Sequence, residues 1–231
     1  MEFFEVVEKR RSIRRFLAAP FPDASVRRAL EAALLAPNSS NTQTWDFHWI
    51  KDPTVKSQVV ADCLGQSAAR TATQLVVVCA DPKLWKRSQG PLIEWVSSAK
   101  APAAVLAYYE KLLPFMYRWG PLNAFAPVKW ILTQAAGLFR PMTRGPLTRR
   151  DLEEVAARSA ALAAQNFMLA ITALGGASCP MEGFDKSRLR RHLKLSRSTV
   201  IVMVIGVGYE AENGTWGPRC RLPFDQVVHE H

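Results

Sequence analysis

The sequence predicts a mixed α/β or α+β domain with a mostly helical excursion in its middle, and three observations predict it. Two runs, QLVVVCA from Gln74 and STVIVMVIGVGY from Ser198, are continuous and rich in β-branched residues, the pattern of strands buried on both faces. Segments with apolar residues at helical spacing alternate with them in one continuous order. The chain has 231 residues, 48% hydrophobic and 22% charged, which is enough length and apolar content for a sizeable core.

Taken in order, Phe3, Phe4, Val6 and Val7 make the apolar face of a short opening helix that ends in the basic run KRRSIRR. Pro20 and Pro22 interrupt the chain. Asp23 or Ser25 is expected to cap a second helix with Val26, Leu30, Ala33 and Leu34 at helical spacing, and Pro37 ends it. The polar loop NSSNTQ leads into WDFHWI, whose alternation fits a half-buried strand. A helix from Pro53 or Thr54 to Cys63 then precedes QLVVVCA. From about 81 to 150 Pro, Trp and Phe mix with short helical pieces such as APAAVLAYYEKLL and VKWILTQAAGLF. Thr148 or Asp151 starts the longest helix, with acids in its first turn, as the helix dipole favours, and a glycine pair past its end. SCPMEGFD reads as a strand leading to a turn, and Asp185 caps the basic helix KSRLRRHLKL. STVIVMVIGVGY is a core strand, and a Gly/Trp/Pro loop and PRCRLPFDQVVHEH close the chain. No internal repeat or low-complexity tract interrupts this order, so residues 1–231 read as one domain.

Lys and Arg number 30 against 20 Asp and Glu, a formal charge of +10. Such an excess favours anionic partners, whether a phosphorylated cofactor, nucleic acid or a lipid surface, without choosing among them. The four cysteines, at 63, 79, 179 and 220, form no C-x-x-C pair and match no zinc spacing; Cys79 and Cys179 read as small buried hydrophobes. The four histidines form no metal pattern. MEFFEVVEKRR begins acidic and turns basic, the reverse of a secretory signal, so a reducing, cytoplasmic setting is expected. Ser159 to Met181 runs 23 residues without a formal charge, but Gln165, Asn166, Thr172 and the Gly175–Gly176 break fit a buried helix rather than a membrane span.

Four separated segments have the residue types to converge on one anionic ligand. Arg10-Arg11-Ser12-Ile13-Arg14-Arg15 offers planar guanidinium forks and a hydroxyl, although a helix ending in basic residues is also ordinary dipole chemistry. Asn38-Ser39-Ser40-Asn41-Thr42-Gln43 is six hydrogen-bonding side chains in a row, which a plain polar turn would equally explain. Arg219-Cys220-Arg221, if extended, points both arginines the same way. Cys179-Pro180-Met181-Glu182-Gly183-Phe184-Asp185 is the most specific, because Pro180 and Gly183 bracket a tight path along which backbone groups can face a ligand.

R-R-S-x-R-x-F near the start, A-P-x-x-x-N-x-Q-x-W around residue 40, C-P-M-E-G-F-D after a long helix and R-x-R-x-P-x-x-x-V-V-H near the end together resemble the FMN-dependent nitroreductase family. The resemblance covers residues 1–80 and 151–231 and departs from the family at Thr44, where Pro is common. It implies a nitroreductase-like fold, with a central, mostly antiparallel sheet flanked by helices, in a homodimer with FMN sites at the interface. It implies that Arg10, Arg11, Ser12 and Arg14 hold the FMN ribityl and phosphate and that Arg219 and Arg221 close on the same phosphate. Asn38, Ser39 and Asn41 would reach FMN from the other subunit. Pro180, Met181, Glu182 and Gly183 would lie along the isoalloxazine ring with the Glu182 backbone N–H at N5, and Gln66 would approach the pyrimidine edge. Residues 81–150 would cover the flavin and set substrate choice.

The implied chemistry is ping-pong: NADPH or NADH, with the arginine surplus leaning to NADPH, gives hydride to FMN, and a flat electron-poor acceptor such as a nitroaromatic or quinone takes its place. The aromatics Trp85, Trp95, Tyr108, Tyr109, Phe115, Trp119 and Phe125 fit stacking on such an acceptor or an ordinary core. Reductive dehalogenation and flavin reduction are the alternatives on the same fold. A basic nucleic-acid or membrane-surface binding protein without turnover is the alternative of another class, and no helix-turn-helix, zinc finger or RNP-type motif supports a nucleic-acid role.

Overall fold

The computed structural model describes residues 1–231. Helix α1 (Phe3–Lys9) and α2 (Asp23–Leu34) precede strand β1 (Trp45–Ile50). Helices α3 (Pro53–Asp62) and α4 (Ser67–Thr71) lead to β2 (Gln74–Ala80). Next come α5 (Trp85–Ser98), α6 (Ala103–Ala107), a π-helical turn over Tyr108–Leu112, α7 (Leu113–Tyr117) and α8 (Ala126–Gly137). The long α9 (Arg149–Ala173), β3 (Ala177–Met181), α10 (Lys186–His192) and β4 (Val200–Gly208) complete the fold. The four strands lie in the order β1-β2-β4-β3 with every pair antiparallel, so the class is α+β, a small sheet among many helices. No helix is long and apolar enough to cross a membrane.

The period of two along β2 divides the core. Val76, Val78 and Ala80 face one cluster, where Phe21, α2 and the small-residue face of α9 (Ala156, Ala160, Ala163, Ala164, Phe167) pack on the sheet. Leu75, Val77 and Cys79 face a second cluster with Ile13, Phe16, Val59, Cys179, Met181 and Leu189. Both faces being covered, β2 reads in sequence as an unbroken apolar run. Alanines on α9 let it lie close to α2, and burial between its neighbours accounts for the charge-free stretch. Past α9, Gly175 turns the chain at φ +81°, and Gly176 is so close to the core that a Cβ there would sit 2.5 Å from Phe21 Cε2. A third cluster (Trp85, Leu92, Val96, Tyr109, Leu113, Tyr117, Leu152) holds the segment between β2 and α9 together.

Several sequence expectations need correction. Asp23 is the first residue of α2 and not its cap; the cap position falls to Pro22, whose side chain has no acceptor, and the Asp23 carboxylate is engaged by Lys51 and by the Gln74 amide at 2.8 Å. Ser25 caps nothing either. Of the opening helix's apolar face only Val6 is buried, and Leu34 on α2 is exposed. A seven-residue helix covers little surface, so Phe3 and Phe4 stack edge-to-face on each other instead. The helix also stops at Lys9, which leaves the basic run extended.

Helix α9 starts as the sequence predicts, through a reciprocal box in which Thr148 Oγ1 accepts from the Asp151 N–H at 3.2 Å and the Asp151 carboxylate accepts from the Thr148 N–H at 3.0 Å. A further bond from the Leu147 N–H helps hold the Asp151 carboxyl below its ordinary pKa. Asp151→Ala is therefore expected to lower stability by about 1 kcal/mol at neutral pH. Because the folded pKa is depressed, this contribution is present above the unfolded value near ~4 and disappears as pH falls through the lower folded value. Denaturant melts of both proteins at pH 7 and pH 3 check it: the gap should narrow at pH 3.

Candidate active site

The extended segment after α1 runs along the free edge of β3. Ser12 bridges Ser178 in parallel, and the Ile13 N–H donates to the Ser178 carbonyl at 3.0 Å. Alternation then buries Ile13 in the core and turns Ser12 and Arg14 the other way. The chain after β4 returns over this segment, with the Arg14 N–H donating to the Gly214 carbonyl at 2.6 Å. Arg11 donates to the Gly217 carbonyl at 2.5 Å, and Arg219 donates to the carbonyls of Glu8 and, at 2.7 Å, Arg10. The two termini are thereby tied into one cradle.

The cradle is a cavity of about 270 Å³ lined by Arg10, Arg11, Ser12, Arg14, Arg219 and Arg221, together with the Thr215–Pro218 loop and Cys220. Five arginines and no carboxylate line it. Burial, and after it the charges of Arg219 and Arg221, push the Arg10 guanidinium below its ordinary pKa. Such an assembly of like charges is unfavourable by itself and is stabilised by a bound polyanion. Arg221 donates only to the adjacent Cys220 carbonyl, at 2.7 Å, which leaves most of its fork for a ligand. Arg14 stacks over the Trp216 ring, 5.2 Å from its centroid.

Arg14 and Trp216 also line an adjoining cavity of about 240 Å³ that includes Gln66 and Ser67. Gln66 donates its amide to the Gly183 carbonyl at 2.6 Å and to the Cys63 carbonyl at 3.1 Å, so it fixes the path of the chain after β3. Within that path the Met181 side chain is buried in the core, which leaves only its backbone for a ligand. Pro180 pairs with Ile205 within the sheet, Glu182 and Gly183 are exposed, and the Glu182 N–H has no acceptor within the chain. The arrangement is an arginine cradle at one end, an indole and an amide in between, and exposed backbone at the other end. It fits an elongated ligand with a dianionic head and a flat polar ring.

Asn38, Ser39 and Asn41 do not line the cradle of their own chain. Their loop is firmly shaped all the same. Ser40, Asn41 and Gln43 take left-handed φ of 53°, 51° and 48°, and Asn38 Oδ1 holds the Gln43 N–H at 2.8 Å. Ser159 on α9 accepts from the Ser39 N–H, and Tyr108 and Tyr117 from the helical excursion meet Ser40 and Thr42. Among the excursion's aromatics, Trp85 and Tyr109 are core, whereas Trp95, Phe115 and Phe125 are exposed. The sequence reading missed Thr215 and Trp216; their signal was a Gly/Trp/Pro loop directly before two arginines.

Burial raises the thiol pKa of Cys63 and Cys79 to about 12 and pushes that of Cys179 upward, while Cys220 is exposed beside the cradle. Iodoacetamide is therefore expected to label Cys220 alone in the native protein and all four cysteines after denaturation, as peptide mass spectrometry would show. Labelling of a buried thiol at the Cys220 rate would contradict the packing.

The model of the nitroreductase family matches residues 7–209. The protein DrgA of Synechocystis sp. is 31% identical over 96% of this chain and 91% of its own length. The NADH dehydrogenase of Thermus thermophilus is 27% identical over 95% and 91% respectively. A chain from Exiguobacterium sibiricum solved in complex with FMN superposes with a TM-score of 0.74 at 21% identity, covering 100% of this chain and 98% of that one. Fold, motif order and the matched span agree, and the chain belongs to the nitroreductase family.

Proposed function

We propose that this protein is an FMN-dependent NAD(P)H oxidoreductase that reduces flat electron-poor acceptors, nitroaromatics or quinones. The observation that carries the reading is the convergence of Arg10, Arg11, Ser12, Arg14, Arg219 and Arg221 on one carboxylate-free cavity that leads to Gln66 and the backbone of residues 180–183. The donor set fits the cofactor: guanidiniums for a phosphate, a hydroxyl for a ribityl chain, and backbone and amide groups for a polar ring edge. When bound, FMN supplies the redox chemistry, accepting hydride from NAD(P)H and passing it to the acceptor.

The chain's own work is binding and orientation. Arg221, Arg10 and Arg14 neutralise the phosphate, and Arg11 and Arg219 keep the tail closed over it through their carbonyl bonds. The Glu182 N–H, free within the chain, is assigned to N5 of the ring, and Gln66 keeps that strand-to-turn segment at its level. No side-chain acid or base is required. Asn38, Ser39 and Asn41, outside their own cradle and rigidly held, are assigned to the site of a second copy in a homodimer. Within residues 81–150, the part bonded to that loop through Tyr108 and Tyr117 would then cover the site and select the acceptor.

The absorption spectrum of freshly purified protein tests the reading, followed by heat release of the chromophore and NAD(P)H oxidation with a quinone and a nitroaromatic. One FMN per subunit and acceptor-dependent turnover are expected. A colourless protein that fails to take up added FMN overturns it. Bound FMN is also expected to slow Cys220 labelling, since that residue borders the phosphate end.

A further inference from the structure

Helix α8 is amphipathic in the reverse sense to a helix on a water-facing surface. Its one fully buried residue is Lys129, 2% exposed, whose Nζ donates to the Met116 carbonyl at 2.7 Å and lies over the Phe115 ring. Burial lowers the Lys129 pKa, so anchoring the helix by this side chain carries a cost that an apolar residue would not incur. Val128, Trp130, Ile131 and Leu132 all face outward instead. At about 100° per residue they sweep an arc of about 200° opposite Lys129, which makes a protruding ridge and not a groove. The ridge continues into the turn beyond α8, where Leu138 and Phe139 are 82% and 88% exposed. An apolar surface of this kind marks an interaction site.

The charge around the ridge chooses the occupant. From residue 101 to 150 the sequence has seven Lys or Arg and a single acid, Glu110. Arg118, Arg140, Arg144 and Arg150 are exposed and form no ion pair. A second copy docking face to face on the same ridge would set Arg140 and Arg144 near their own counterparts, which like-charge repulsion opposes. A bilayer with anionic headgroups satisfies both features, taking the apolar side chains below the headgroups and the arginines among them. Trp130, an indole on the ridge flank, is the residue type that favours such an interface.

We propose that α8 and the Leu138–Phe139 turn form a docking ridge for the surface of an anionic membrane, which the protein meets peripherally. This is separate from the basic run of residues 10–15, which the cradle uses.

Sedimentation of the purified holoprotein with phosphatidylcholine vesicles, with and without phosphatidylglycerol, tests the proposal. Binding is expected to the phosphatidylglycerol vesicles only and to weaken as salt rises. The double variant Leu138→Glu/Phe139→Glu, at exposed positions, is expected to bind about tenfold more weakly or worse with flavin content and melting temperature unchanged. Acyl-brominated lipids are expected to quench a component of the tryptophan fluorescence that Trp130→Phe lacks, a readout that survives if the double variant misfolds. The proposal is overturned if the holoprotein stays in the supernatant, or if the double variant binds as well as the parent, which would leave only diffuse charge. It is overturned equally if the double variant lowers the native mass in sedimentation equilibrium, which would make the ridge a contact between copies. None of these readouts depends on turnover, so failure here leaves the oxidoreductase reading standing.

Discussion

Arg221→Ala is expected to weaken FMN binding by roughly 10- to 150-fold, the loss of a charge-assisted hydrogen bond of about 1.5–3 kcal/mol. The choice of Arg221 over its neighbour follows from what each guanidinium does. Arg219 is engaged with the carbonyls of Glu8 and Arg10, so removing it would also release the tail from the end of α1. Arg221 holds only the carbonyl of Cys220, so its loss reports on the ligand. Titration of the apoprotein with FMN, followed by flavin fluorescence, gives the number, and the melting temperature of the apoprotein should not move. Arg221→Lys should recover part of the affinity, since a point charge replaces the long-range attraction but not the planar fork. Unchanged flavin affinity in Arg221→Ala would remove this residue from the phosphate site and shift that role to Arg10 and Arg14.

Much of the fold is legible in the sequence because one physical rule dominates each element. Residues of β2 are apolar at every position since both faces are covered, and Thr148 with Asp151 announces a helix start by side-chain chemistry alone. Asp185 announces α10 in the same way, accepting from the N–H groups of Ser187 and Arg188. Where tertiary contacts compete with a local rule, the local reading fails. Asp23 has the right side chain for a cap, yet Lys51 and Gln74, distant in sequence, claim it. In the helical excursion the local pattern even inverts at Lys129, which no periodicity argument on burial would place inside.

The candidate site divides along the same line. Arg219-Cys220-Arg221 could be read because alternation in an extended chain is a local property, and both arginines do line one cavity. That this cavity also contains Arg10 and Arg14 depends on the first and last segments of the chain meeting at the edge of β3, which residue spacing does not encode. Gln66 carries a polar side chain at a plausible place, but its function as a clamp on the Gly183 carbonyl appears only once α4 and the turn after β3 are side by side. Asn38, Ser39 and Asn41 lie outside the cradle of their own chain, so the fold of one chain gives them no ligand to face.

Beside the clamp on that turn lies a buried carboxylate, and removing its hydrogen-bond donor is expected to have the largest effect on stability. Asp62, 0% exposed, ends α3; its carbonyl accepts from the Asp185 N–H at 2.8 Å, and its carboxylate takes the His192 Nδ1–H at 2.6 Å. Arg188 reaches the other oxygen at 3.3 Å without hydrogen-bond alignment. Asp62 therefore joins α3 to both ends of α10, one turn before Gln66 and beside residues 183–185. In His192→Ala the carboxylate stays buried with only the solvated Arg188 to offset it. Leaving a buried charged group without its hydrogen-bond donor costs upward of about 1–3 kcal/mol, and the complete burial of Asp62 argues for ~3 kcal/mol here. In a chain of this size that lowers the melting temperature by roughly 6–12 °C. Neutralising the orphaned charge should undo part of the damage, so Asp62→Asn/His192→Ala should melt above His192→Ala, although it carries one substitution more. If the double variant melts lower instead, with the two losses simply additive, then charge burial is not what His192 offsets, and its contribution is the packing of α10 against α3.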